Sequence, residues 1–154
     1  MPIFISKLLQ PHLVAMNLKE TKRTTAIHEV ALQLENHPHV ANFKGFYDEL
    51  LARERVESTC LGNSVALPHA RTDHVKNIVI AVGRSKEGVY FENCDQTVNL
   101  LFVLGTPKKM VTDYLAVVGA LARLLKEQAL RQKLMSLKTP EEFIFHISEA
   151  ENQL

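Results

Sequence analysis

Residues 58–71 read STCLGNSVALPHAR and carry the strongest local signal in the chain. The Gly-Asn step is typical of a turn, and the apolar run at 65–67 is typical of a strand inside a sheet. Pro68 lacks a backbone donor and favours an extended conformation in the residue before it. We therefore predict that the strand ends at Pro68 and that His69 lies where the chain leaves the sheet. A rigid strand end can position a reactive imidazole, although a plain surface histidine would show the same pattern.

The apolar pattern on either side of this stretch predicts the other elements. Residues 12–18 alternate as in a strand with one buried face. Residues 24–36 place apolar side chains at helical spacing, with Thr24 or Thr25 as the cap, and Asn42 is predicted to cap a second helix. After the central stretch, the same reasoning predicts strands at 78–82, 89–91 and 98–104 and helices at 110–126 and 128–135.

The C-terminal helix is marked by a capping box at Thr139 with Pro140 in the first helical position. Helices thus alternate with pairs of strands along the whole chain. This order predicts an α+β fold, a three-layer α/β/α sandwich whose mixed central β-sheet has helices on both faces. The length of 154 residues predicts a single domain over residues 1–154.

The composition narrows the classes of function. The chain is 46% hydrophobic and 23% charged, with a formal net charge of +1, so there is no electrostatic case for binding nucleic acid or an anionic membrane. We predict neither a signal peptide nor membrane insertion, since no charged start precedes a long apolar segment. Cys60 and Cys94 are expected to be free buried thiols in a reducing cytoplasm.

Metals and cofactors are not expected. His37 and His39 lie close together in sequence, but no cysteine or carboxylate cluster with metal-ligand spacing surrounds them. A neutral imidazole, by contrast, has one ring nitrogen with a free lone pair near physiological pH. Such a nitrogen can attack phosphorus and later release the phosphoryl group, so a histidine in general is suited to receive a phosphoryl group and to pass it on.

The residues around His69 extend this pattern. The pairs Arg53-Glu54 and Ser58-Thr59, followed by the turn at 62–63 and VALPH at 65–69, resemble the signature of the fructose/mannitol-type enzyme IIA family. These proteins are phosphocarrier domains of the bacterial phosphoenolpyruvate-dependent phosphotransferase system. The order of predicted elements is similar to that of the family from near residue 1 to near residue 150.

The resemblance implies roles for three residues. His69 would be the phosphoacceptor and would take its phosphoryl group from the histidine-containing phosphocarrier protein. Arg53 has a forked guanidinium that suits a phosphoryl oxygen, or it is a surface arginine at a helix end. Thr59 would bond the other imidazole nitrogen or a turn amide, or it is an ordinary strand threonine.

Tyr114 departs from the family pattern. Most members have a second histidine at the start of the long helix, and counting from Pro107 places Tyr114 at that position. Tyrosine donates one hydrogen bond but brings no positive charge near neutral pH. The departure therefore affects the expected rate of phosphorylation, the stability of the phosphorylated state and onward transfer.

Three functions follow from the resemblance. The first is a stand-alone phosphotransferase of the nitrogen-regulatory type, which signals to regulated target proteins through its phosphorylation state. The second is a sugar-transport IIA that donates to a separate IIB partner. The third, suggested by Tyr114, is a degenerate IIA-like protein-binding module without efficient phosphotransfer.

Overall fold

The computed structural model describes residues 3–154. Its centre is a sheet of six strands: β1 Val14–Ala15, β2 Cys60–Gly62, β3 Val65–Ala66, β4 His69–Thr72, β5 Val79–Phe91 and β6 Gln96–Pro107. The strand order is β1-β5-β6-β3-β2, and β4 lies beside β6 beyond the end of β3. Pairing is antiparallel for β5–β6 and β2–β3 and parallel for β1–β5, β3–β6 and β4–β6. The sheet is therefore mixed, as the sequence predicts.

Within residues 3–154, six α-helices cover the two faces of this sheet: α1 Ile5–Leu8, α2 Arg23–Ala31, α3 Phe43–Val56, α4 Val111–Lys126, α5 Gln128–Ser136 and α6 Pro140–Glu151. Helices α2 and α3 pack on one face, and α1, α4, α5 and α6 pack on the other. Strand β6 serves both cores, because Phe102 and Leu104 face α4 while Leu101 and Val103 face α2 and α3. The three-layer prediction is confirmed.

The helix starts were predicted with mixed success. Asn42 caps α3 by accepting a hydrogen bond from the Gly45 amide, and Thr139 with Glu142 forms the capping box of α6. The predicted cap of α2 at Thr24 or Thr25 is wrong, because the N-cap position is Lys22. Helix α2 also ends at Ala31, and a 3-10 turn over Leu32–Leu34 continues it.

Two strand predictions need correction. Residues 12–18 contribute only the short β1, because a 3-10 turn over Pro11–Leu13 precedes it. Residues 78–82 and 89–91 belong to one strand, β5, although their pairing with β6 shifts register between Arg84 and Val89. The polar residues between the two apolar runs therefore form an irregular part of a strand, although the sequence Lys86-Glu87-Gly88 is typical of a turn.

The chain does not leave the sheet at His69. Strand β3 ends at Ala66, two residues before Pro68, but the Pro68 carbonyl accepts a hydrogen bond from the Leu104 amide, and β4 then pairs with β6 from His69 onward. The reason is that proline removes only a donor, and its carbonyl remains available to the ladder. His69 consequently begins a strand instead of following one.

The prediction of free thiols is wrong, since Cys60 and Cys94 form a disulfide with their Cα atoms 6.8 Å apart. Cys60 lies in β2, and Cys94 lies in the turn between β5 and β6, 34 residues later. Long-range packing of a strand against a hairpin turn brings the two together, and a local sequence pattern does not show this. None of the helices in residues 3–154 is long and apolar enough to cross a membrane.

Candidate functional site

An open cleft of about 470 Å³ lies beside the start of β4, between the C-terminal half of α3 and the N-terminal end of α4. The residues that line it are Glu49, Ala52, Arg53, His69, Ala70, Arg71, Lys108 and Tyr114. Three of the four residues that the sequence proposes for the site, His69, Arg53 and Tyr114, therefore come together in one place.

The half-buried ring of His69 is held from both of its nitrogens. Its Nδ1 lies 2.8 Å from the Leu67 carbonyl oxygen, and its Nε2 lies 3.1 Å from the Tyr114 hydroxyl. A carbonyl can only accept, so Nδ1 carries the proton and donates to Leu67. The Nε2 lone pair then accepts from the Tyr114 hydroxyl. In this tautomer the lone pair of the neutral ring lies on Nε2.

The surroundings of His69 favour that neutral ring. Burial lowers the pKa of His69, and the charge of Arg53 lowers it further, while the hydrogen bond to Leu67 and the charge of Glu54 act in the opposite direction. The net result is a pKa below the ordinary value for histidine. An imidazole with a lowered pKa keeps its lone pair available at neutral pH.

Cationic side chains surround the open side of the cleft. Arg53, near the C-terminal end of α3, donates from Nη1 to the Glu57 carbonyl at 2.9 Å. Arg71 donates from Nη2 to the Lys108 carbonyl at 3.2 Å, and its guanidinium carbon lies 5.6 Å from the centre of the Tyr114 ring. These arginines are positioned by backbone acceptors at the rim, so their remaining N–H groups can face an incoming anion.

Glu49 is a cleft residue that the motif did not predict. It lines the same cleft, and its buried Oε2 has no hydrogen-bond partner among residues 3–154. Glu49 precedes Arg53 by four residues, the spacing that places two side chains on one face of a helix. That spacing is the sequence signal that could have identified it. Lys108, which also lines the cleft, follows the strand end at Pro107 and has no comparable signal.

Thr59 does not contact His69. It is buried, and its hydroxyl donates to Glu54 Oε2 at 2.6 Å, so it bonds neither the imidazole nor a turn amide as the sequence suggested. Glu54 is itself buried and lies 3.5 Å from the Arg23 guanidinium and 3.3 Å from the Asn93 amide nitrogen. Thr59 thus belongs to a polar cluster whose residues do not line the cleft, which we call the Glu54 cluster: Arg23, Glu54, Thr59 and Asn93.

The cleft combines a neutral nucleophilic nitrogen with donors for an anion. The loose transition state of phosphoryl transfer spreads negative charge over three oxygens, so positioning and nearby donors carry most of the catalysis. Arg53, Arg71 and the Tyr114 hydroxyl supply such donors around the cleft where Nε2 points. Chemically, the arrangement suits a histidine that receives a phosphoryl group and releases it again.

Comparison with known proteins identifies the family. Residues 7–150 match the family described as "Phosphoenolpyruvate-dependent sugar phosphotransferase system, EIIA 2". The chain belongs to this family. Phosphotransfer is the general activity of the EIIA 2 family, so the match supports a phosphotransferase role in general terms.

Individual relatives of this EIIA 2 chain fall into two groups by name. It is 29% identical over 146 residues to a "PTS system fructose-specific EIIABC component" from Bacillus subtilis, covering 94% of this chain and 23% of that protein. It is 30% identical over 131 residues to a "Nitrogen regulatory protein" from Bradyrhizobium diazoefficiens, covering 84% of this chain and 85% of that one. The crystal structure of nitrogen regulatory protein IIA-Ntr from Neisseria meningitidis superposes with a TM-score of 0.85 at 27% identity, covering 93% of this chain and 98% of that one.

The EIIA 2 chain spans only 23% and 20% of the length of the first two curated relatives it matches. Their names carry the components EIIABC, and the match lies within a small part of each. The family and its fold are thus shared across proteins of very different length.

Proposed function

We propose that this chain is a phosphoryl carrier of the bacterial phosphoenolpyruvate-dependent phosphotransferase system, acting in the cytoplasm in a regulatory, nitrogen-type role. His69 Nε2 accepts the phosphoryl group from the phosphohistidine of the histidine-containing phosphocarrier protein. The observation that carries this proposal is the tautomer of His69. The hydrogen bond to the Leu67 carbonyl keeps the proton on Nδ1, which leaves the lone pair on Nε2, and His69 lines a cleft together with Arg53 and Arg71.

The transfer step balances without any other reactant. The Nε2 lone pair attacks phosphorus as the N–P bond of the donor phosphohistidine breaks, and that bonding pair returns to the donor imidazole. The Nδ1 proton of His69 stays in place, because the ring now carries positive charge and its hydrogen bond to Leu67 strengthens. Arg53 and Tyr114 then donate to the phosphoryl oxygens, and onward transfer reverses the same step.

A sugar-transport role is the second candidate. The Bacillus subtilis relative has a fructose-specific name that joins A, B and C components, which favours a IIB domain as the receiver of the phosphoryl group. The nitrogen regulatory relatives favour regulated target proteins instead, and one of them is matched over 85% of its length. A IIB partner would accept phosphate from His69, whereas a regulated target would bind one phosphorylation state without accepting phosphate.

A binding module without efficient phosphotransfer is the third candidate, because a neutral phenol stands at Tyr114. Labelling separates it from the other two. We expect the wild type, incubated with phosphoenolpyruvate, enzyme I and the phosphocarrier protein, to gain one acid-labile phosphate detected by intact-protein mass spectrometry. His69→Gln should gain none, and His39→Gln, which changes an exposed histidine outside the cleft, should label normally. An unlabelled wild type beside a labelled control IIA would contradict the carrier proposal.

A further inference from the structure

The disulfide joins β2 to the turn between β5 and β6, and each of its cysteines follows a residue of the Glu54 cluster. Cys60 and Cys94 are each half-buried, so a small or protein thiol can approach them. Cytosolic disulfides, where they occur, are usually transient, catalytic or redox-sensing. In the cytoplasmic location proposed above, a bond at this place would therefore form and break with the redox state of the cell.

Both cysteines are covalently next to residues that bind the same buried carboxylate. Thr59, which precedes Cys60, donates to Glu54 Oε2 at 2.6 Å. Asn93, which precedes Cys94, donates to the Glu54 backbone carbonyl at 3.4 Å and lies 3.3 Å from Oε1. The disulfide thus holds β2 and the β5–β6 turn together, and the two segments hold Glu54 from opposite sides.

Glu54 connects this arrangement to the cleft. It adjoins Arg53 in α3, and the two residues lie at the end of the helix, one turn before Glu57. Arg53 donates to the Glu57 carbonyl and lines the cleft beside His69. If Glu54 lost these hydrogen bonds, the C-terminal end of α3 would become more mobile. The Arg53 guanidinium would then be held less firmly in the cleft.

We propose that Cys60–Cys94 is a reversible thiol–disulfide modification site that adjusts phosphoryl transfer at His69 through Glu54 and Arg53. The redox part stands by itself, and the effect on transfer rests on the proposed function. In the disulfide form the Glu54 cluster is fixed and Arg53 is held at the rim. Reduction frees β2 and the β5–β6 turn, and transfer becomes slower.

The redox step is an ordinary exchange with a dithiol reductant. One reductant thiolate attacks a sulfur of the disulfide, which gives a mixed disulfide and one free cysteine thiolate. The second reductant thiolate then forms the disulfide of the reductant and releases the other cysteine. Two electrons pass to the protein, and each cysteine thiolate takes one proton from solvent. Oxidation by a disulfide such as oxidised glutathione runs the exchange in reverse.

The first measurement follows the cysteines alone. The chain is treated with oxidised glutathione or with dithiothreitol, and free thiols are alkylated and counted by mass. We expect no alkylation after oxidation and two alkylated cysteines after reduction, in repeated cycles. Two cysteines that stay free under oxidising conditions would overturn the proposal.

The second measurement compares phosphorylation rates in the two states, with isolated phosphorylated carrier protein as the donor. We expect the oxidised form to react about 2- to 30-fold faster, the range typical for coupling through an intervening element. The double variant Cys60→Ser with Cys94→Ser is the matched control, and it should react at the reduced rate with or without dithiothreitol. Equal rates for oxidised and reduced wild type would overturn the coupling.

Amide hydrogen exchange tests the redox inference without requiring that the chain accept phosphate. Residues 53–60 and 91–95 should exchange faster in the reduced form, and Glu54→Gln should make exchange there fast in both states. If neither state accepts phosphate but this difference appears, the carrier proposal fails and the redox-sensitive cluster stands. Identical exchange in the two redox states would overturn the inference.

Discussion

His69 is positioned as a nucleophile by its nearest neighbours. Burial and the Arg53 charge lower its pKa, so protonation of the folded ring begins below the ordinary histidine pKa of about 6.5. We expect the phosphorylation rate to stay constant above that pH and to fall only at lower pH. A rate profile between pH 5 and 8, with prephosphorylated donor at saturating concentration, tests this.

The lowered pKa of His69 also makes the stability of the fold depend on pH. Unfolded His69 takes up its proton at a higher pH than the folded residue, so its contribution to the folded state is full above about pH 6.5 and is lost as pH falls from there through the lower pKa of the folded residue. An inflection of the rate above pH 6.5 would show that the pKa of His69 is raised in the folded protein, contrary to the lowering expected from burial and the Arg53 charge.

Tyr114→Phe tests two opposing roles of one hydroxyl. Removing it frees the Nε2 lone pair from a neutral hydrogen bond, which is worth about 0.5–1.5 kcal/mol, and this favours attack. It also removes a donor to the charged phosphoryl oxygens, which is worth about 1.5–3 kcal/mol. The second effect is larger, so we expect phosphorylation about 5- to 10-fold slower.

The control for this variant is Tyr90→Phe. The Tyr90 hydroxyl also makes one hydrogen bond, to Asp95, but it lies in β5 and outside the cleft. Stopped-flow measurement should show no change in rate for that variant. A faster Tyr114→Phe protein would mean that release of the lone pair dominates and that Tyr114 restrains the acceptor.

Arg53→Ala should slow phosphorylation without unfolding the chain. Loss of a hydrogen bond to a charged phosphoryl group corresponds to about 1.5–3 kcal/mol, or about 10- to 150-fold in rate. The structural contact that is lost, to the Glu57 carbonyl, lies at an exposed helix end and should cost at most about 1 kcal/mol. Arg55→Ala, exposed on the same helix, is the matched control. Unchanged kinetics, or a large loss of thermal stability, would contradict this role for Arg53.

At the level of single residues, the sequence located the site but not the hydrogen bonds within it. The resemblance of the motif pointed to His69 and Arg53, and counting from Pro107 pointed to Tyr114. The acceptors of His69 and Thr59 lie only two and five residues away in sequence, at Leu67 and Glu54, but the folded backbone decides which nearby acceptor each group takes, so neither contact could be read from residue types.

Helix α3 contains a glycine, Gly45, whose lack of a side chain is explained by packing against a residue distant in sequence. By helix propensity, Gly45 is less favourable than alanine by about 1 kcal/mol. However, a Cβ at position 45 would lie 2.6 Å from the ring of His74, which is half-buried. The ring would have to move away from the helix.

We expect Gly45→Ala to destabilise the chain by about 1 kcal/mol, since overpacking costs of about 1–3 kcal/mol exceed the propensity gain. Urea unfolding of this variant, of His74→Ala and of the double variant forms a thermodynamic cycle. The alanine should become favourable once the His74 ring is removed. A stabilised single variant would show that the ring relocates at no cost.

Elements with local causes were predicted well, and elements with distant partners were not. The caps at Asn42 and Thr139 depend on side chains within three residues, so the sequence shows them directly. The middle of β5 looks like a turn because Lys86-Glu87-Gly88 is polar and contains a glycine. In the structure Arg84 is buried and donates to carbonyls of Met16, Leu134 and Leu137, which no local pattern reveals.

At the scale of the whole molecule, the three layers could be predicted from apolar periodicity, but the contact that joins the first and last helices could not. The alternating faces of β6 require helices on both sides, and this was predictable. The two chain ends meet through Glu151, near the end of α6, which is buried and accepts hydrogen bonds from the Ile5 and Ser6 amides at the start of α1. A glutamate in a final helical turn would otherwise be read as a solvated residue.

Glu151→Gln tests whether this contact stabilises the fold. The amide keeps one acceptor oxygen but turns a donor group toward a backbone N–H, so one hydrogen bond to a charged acceptor is lost. We expect the free energy of unfolding in urea to fall by about 1–3 kcal/mol. The phosphorylation rate should not change, because the contact lies outside the cleft around His69. Glu149→Gln, exposed on the same helix, should leave both quantities unchanged. If Glu151→Gln slowed transfer without lowering stability, the junction of the two chain ends would instead be coupled to the cleft through α4.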